Sequence, residues 1–283
     1  MTFLGLEDLQ WIRLATIVFA GTFFLGTYSA LKLRRKTGRP YILSLVVFGW
    51  ALQTFGLYAR GLEYGGCPLA NKFELVQFMV WSAIALYIFI GPAFRVSLLG
   101  VFTSAFATIF SILSLSVTSW DNLNRTPIFG DNPWIEMHAA TALFSYGVFG
   151  ILALTSAMYL IQSRNLKKKK IGGLFPYLPS IVELSNINMR LAWMGFAILS
   201  VSLGIGSFYW AKNLDSVDFV KLSATVIVWL AYGILAILRA SQTLTSKRYS
   251  WSSIILFALA LLSLGAVQDK EPKTLSTIVE LDR

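Results

Sequence analysis

Pro133-Trp-Ile-Glu-Met-His138-Ala-Ala-Thr-Ala-Leu-Phe-Ser-Tyr146 opens an apolar run that continues to about Gln162. Such a run crosses a bilayer, whose hydrocarbon core takes about 20 helical residues. His138 is the only histidine of the chain and sits near the start of the run. A titratable or metal-binding side chain inside a membrane segment is costly, so it is read first as functional.

Seven more runs are long enough to span. The full set is 10–31, 40–59, 73–91, 96–118, 134–162, 190–211, 222–240 and 251–268. The fold class expected is therefore all-α, a polytopic membrane bundle of eight transmembrane helices. Composition agrees: 56% of residues are hydrophobic and 13% charged, against about 25% charged in soluble domains. Mean hydropathy is +0.65. The first run lacks a basic leader and a small-residue cleavage site, so it reads as a retained helix. Residues 1–283 are expected to form one integral membrane domain, with a disordered tail at 269–283.

The net charge of +10 lies in short loops between apolar runs, so it sets orientation rather than binding nucleic acid. Lys32, Arg34, Arg35, Lys36 and Arg39 fill the first loop, and Arg164 with Lys167 to Lys170 the fifth. The even loops are poorer in Lys and Arg. The odd loops are therefore expected in the cytoplasm and both termini outside. The linker 163–189 is the longest connection expected. This parity puts the start of the fifth span at the outer surface, with His138 roughly one turn below it at 1.5 Å per residue.

Several chemistries are excluded. One cysteine, Cys67, gives no intramolecular disulfide, CxxC pair or Cys-based zinc site. There is no GxSxG nucleophile turn and no phosphate-cradling glycine loop. His138 has two readings. It is an interfacial histidine bonded to a nearby hydroxyl or carbonyl, or it is an axial ligand to a flat cofactor, with Trp134 four residues earlier on the same helix face. The stretch Gly206 to Lys221 also has two. Tyr209 and Trp210 form an interfacial aromatic belt, or a shelf for a porphyrin whose propionates meet Lys212 or Lys221. In the loop Gly65 to Glu74, Gly65-Gly66 and Pro68 mark a tight turn. Asn71 is placed to cap the third helix, with Glu74 three residues on.

These residues carry a resemblance. Trp134-Ile-Glu-Met-His138 with Ser145-Tyr146, Met158-Tyr159-Leu160 and Leu166-Lys167 resembles the cytochrome c assembly family, the membrane haem-handling proteins that include the CcsA, CcmC and HemX-like branches. Leu178-Pro179-Ser180, Gly204-Ile-Gly206, Tyr209-Trp210 through Asp218 and Lys221, then Trp229 and Arg239, are similar too. The resemblance covers about 60–268. It implies haem as cofactor, contacted by His138 as metal ligand with Trp134, Tyr209, Trp210, Asp218 and Lys221 around it. It also implies other cytochrome c assembly proteins and apocytochrome c as partners, in the plasma membrane.

The departures select a branch. The family's tryptophan-rich segment is thinned to Tyr209-Trp210, and Asp218 stands one residue from the family aspartate. Ile237 and the stretch Gly265 to Gln268 stand where further family histidines are found. The resemblance thus implies a HemX-like component that binds or presents haem at the outer face, with no catalytic residue of its own. Two alternatives remain: a HemX-like membrane regulator of haem biosynthesis, and a cofactor-free transporter or accessory subunit. The second lacks the inverted repeats usual in transporters.

Overall fold

A computed structural model describes residues 5–33, 39–91, 98–121, 133–169, 178–211 and 219–266. Its helices are α1 (Asp8–Tyr28), α2 (Arg39–Tyr64), α3 (Lys72–Ile90), α4 (Leu99–Ser116), α5 (Pro133–Lys167), α6 (Ile181–Trp210), α7 (Phe219–Ala240) and α8 (Ser246–Ala266). Every expected span is a helix. Lipid offers no partner for backbone N–H and C=O groups, so a spanning segment bonds within itself. Hydroxyls do the same: Thr16, Thr103 and Thr155 each donate to the carbonyl four residues back.

Seven of these helices are long and apolar enough to cross a membrane; α8 falls outside that group over its described residues. Lys247 and Arg248 occupy its first turn, and its apolar run begins only at Ile254. Polar side chains lie inside among apolar ones, and large apolar side chains face outward. Gln53, Gln77, Ser82, Ser156 and Ser253 are wholly buried, whereas Phe24, Phe89, Ile109 and Leu262 are more than 60% exposed. A water-soluble bundle reverses that distribution. The chain is a multi-pass membrane protein.

Four boundaries extend by five residues or more beyond the sequence reading, each because polar residues continue a helix past the apolar run. α2 runs on to Tyr64 and α5 to Lys167. α8 begins at Ser246 rather than 251. α6 begins at Ile181 rather than 190. There Ser180 Oγ accepts from Glu183 N at 3.1 Å, a cap that launches about two and a half extra turns. The linker expected at 163–189 shrinks accordingly to 168–180.

The helices form two groups of four. α1 packs on α2 and α4, α3 on α2 and α4; in the other group α6 packs on α5 and α7, and α8 on α5 and α7. α3 and α5 join the groups. Gly147 lies so close to α3 that a Cβ there would stand 2.7 Å from Ser82 Cβ and 2.8 Å from Ala83 N. Close approach through small residues is the usual basis of helix association in lipid. α3 and α5 run parallel, so their starts share one end of the bundle.

Candidate functional site

The starts of α1, α3 and α5 and the ends of α2, α4 and α6 meet at that end. Its most heavily charged feature is Arg60, in the last part of α2 and only 1% exposed. Its Nε donates to Glu74 Oε1 at 2.8 Å and its Nη1 to Asp8 Oδ2 at 2.8 Å; its Nη2 bonds Asp121 Oδ1. The guanidinium carbon lies 4.8 Å from the centre of the Phe73 ring. One cation thereby ties the starts of α1 and α3 and the chain beyond α4 to the end of α2. Burial of ions is repaid only when every proton and lone pair is matched. All three guanidinium nitrogens have a carboxylate partner, Glu74 Oε2 also accepts from Ala70 N at 2.7 Å, and Asn71 Nδ2 donates to Asp121 at 3.2 Å.

Asn71 caps α3, accepting from Glu74 N at 2.8 Å. Glu74 does more than complete the start of α3 three residues from its cap. It is fully buried and serves as counter-ion to Arg60. Gly65, at φ +70°, turns the loop as its sequence implied.

The loop is bonded to α5 through Cys67 N, which donates to Glu136 Oε1 at 3.2 Å. Thr54, Tyr58, Phe78, Trp81, Cys67 and Glu136 help line a cleft of about 430 Å³ beside that contact. Burial, with Glu136 and Glu74 adding to it, pushes the Cys67 thiol up to about 11. A thiol held neutral is a poor nucleophile.

His138 lies half-buried, two residues on from Glu136, facing α6. Its Nδ1 is 2.8 Å from the carbonyl oxygen of Ser202. A carbonyl only accepts, so Nδ1 donates and the imidazole lone pair lies on Nε2. An axial histidine characteristically holds its second nitrogen in this way, on a carbonyl or carboxylate. The same bond satisfies an interfacial histidine with no cofactor, so both readings made from the sequence meet it.

The donor set fits haem better than a bare ion. Among the described residues no three of His, Cys, Asp and Glu gather to hold a metal. A porphyrin supplies four equatorial nitrogens itself and needs one imidazole from the protein.

Trp134 sits one turn before His138 on the same face of α5 and is 54% exposed. Tyr209 and Trp210 close α6 and Lys221 lies in the first turn of α7, which brings these backbone positions to the His138 end. Asp218 falls outside the described residues, as does the tail from 269. Arg60 and its carboxylates escaped the sequence reading. Their signal was present in Arg60 at the end of one apolar run and Glu74 at the start of the next, across a tight loop.

Fold and site define a class, a multi-pass membrane helix bundle with one imidazole donor near one end. Residues 69–268 match the family model described as cytochrome C assembly protein. The chain belongs to the cytochrome c assembly protein family. It is 27% identical over 238 residues to Protein HemX of Brevibacillus brevis, covering 82% of this chain and 85% of that one. Protein HemX of Bacillus subtilis is 24% identical, with 82% and 84% covered. Cytochrome c biogenesis protein CcsA of Cyanidium caldarium is 30% identical, with 75% and 78% covered. The family assignment and its HemX-like leaning accord with the sequence reading.

Proposed function

We propose that this protein is a plasma-membrane component of cytochrome c biogenesis that holds or presents haem at the outer face, with His138 as the protein ligand to iron. The observation that carries the reading is that a chain of the cytochrome c assembly family has one imidazole, His138, oriented by an Nδ1–H bond to the Ser202 carbonyl. That bond puts the Nε2 lone pair in the form iron takes. When bound, haem supplies the redox-active iron and the vinyl groups destined for an apocytochrome. The chain's own residues orient the imidazole, and the aromatic positions Trp134, Tyr209 and Trp210 fall at the same end. Asp218 and Lys221 complete the set proposed from the family pattern.

The outer placement rests on the Lys and Arg bias of the odd loops. With both termini outside, the starts of α3 and α5 face outward together. Apocytochrome c and other assembly proteins are the partners proposed.

Two HemX relatives aligned over most of the chain favour a second reading, regulation of haem biosynthesis from the membrane. Deleting the gene and restoring it with wild type or His138→Ala separates the two. Assembly predicts lost holo-cytochrome c, restored only by wild type. Normal holo-cytochrome c with altered haem precursors refutes assembly and supports regulation.

A further inference from the structure

Three contacts join His138 to one residue of α6. The Ser202 carbonyl oxygen lies 2.8 Å from His138 Nδ1. Ser202 Oγ donates to the main-chain oxygen of His138 at 2.8 Å. The same Oγ lies 3.1 Å from Nδ1. The serine hydroxyl has one proton, and it is directed to the His138 carbonyl. Toward Nδ1 both Ser202 oxygens therefore accept, which only a protonated Nδ1 satisfies.

We infer that Ser202 is the positioning residue of His138: its carbonyl fixes the ring as the Nδ1–H tautomer, and its hydroxyl latches the two helices at that level. Neutral histidine in water favours the opposite tautomer, with the proton on Nε2. The tautomer held here is the one that aims a lone pair away from α6.

The surroundings keep Ser202 in register. Its side chain is fully buried. Farther along the same interface Gly195 lies against the Phe149 ring, and Asn188 Nδ2 donates to Ser156 Oγ at 3.2 Å. α6 cannot slide along α5 without losing both. The inference deepens the proposed haem site and, for its functional weight, rests on that reading.

The test uses the full chain in detergent with ¹⁵N-labelled histidine. With one histidine in the sequence, the imidazole signals need no assignment. The tautomer is read at the alkaline end of a pH series, where the imidazole signals no longer change with pH. Wild type is expected to show a pyrrole-type Nδ1 and a pyridine-type Nε2. Ser202→Ala keeps the carbonyl but removes the hydroxyl latch that holds it against Nδ1; the variant should therefore populate the Nε2–H form and weaken haemin binding by about 10- to 100-fold, the usual cost of losing outer-shell support. Ser202→Thr keeps the hydroxyl and should restore both. An Nε2–H wild type, or an alanine variant unchanged in tautomer and affinity, overturns the inference. The tautomer is read without haem, so a wild type that takes up no haemin refutes the haem reading alone.

Discussion

Arg60→Met removes the cation that bonds the three carboxylates of Glu74, Asp8 and Asp121. In the native protein the guanidinium is 1% exposed, Glu74 is fully buried, and Asp8 and Asp121 are 15% and 20% exposed. Breaking a buried ion pair from one side costs about 3–5 kcal/mol, because the remaining charge is left without compensation. Here three anions are left together, so the upper part of that range is expected. Glu74→Gln differs in kind. Arg60 keeps two carboxylates, and the amide retains a hydrogen-bonding oxygen, so the expected loss is about 1–3 kcal/mol. The double variant should be less damaged than the two losses summed, since removing Arg60 also removes what Glu74 was paired with. Reversible unfolding in mixed micelles measures all three. Equal losses for Arg60→Met and Glu74→Gln, or strict additivity in the double variant, would refute the view that Arg60 is the shared counter-ion of these carboxylates.

Other outcomes follow from the same geometry. Gly147→Leu drives a side chain into the α3 backbone at Ala83, so a loss of about 1–3 kcal/mol or more is expected in the same unfolding assay; native stability would show that α3 and α5 do not meet there. Cys67 should react slowly with a membrane-impermeant maleimide near neutral pH. A thiol pushed up to about 11 from 9 is about 100-fold poorer in thiolate, partly offset by the greater nucleophilicity of a more basic sulfur, leaving about a 10-fold deficit. Because the shift is upward, labelling should climb steadily as pH is raised toward 11. Labelling of intact cells under those conditions places the 65–71 loop outside, and labelling only after permeabilisation contradicts that orientation.

The bundle was legible because hydropathy responds directly to the bilayer: eight apolar runs became eight helices. The ends were less so. Ile181 to Asn188 at the start of α6, and Ser163 to Lys167 at the end of α5, are amphipathic or polar. A hydropathy threshold stops before both, although Ser180 caps the first of these extensions. The Asn71 cap was readable because it is local, three residues from its partner. Arg60 was not, because its partners Asp8 and Asp121 lie 52 and 61 residues away in sequence. His138 was found by its rarity, and Ser202, 64 residues on, has nothing in its local sequence to mark it among the other serines of the spans. Local chemistry and bulk polarity reach the reader of a sequence; pairing between distant helices does not.

The central claim is that His138 ligates haem iron, and the visible spectrum of the purified, haemin-titrated protein tests it most directly. Wild type is expected to develop a saturable Soret band that is lost or strongly shifted in His138→Ala, with the variant still helical and folded. A wild type that stays without a Soret band, or an alanine variant whose band is unchanged, would contradict it.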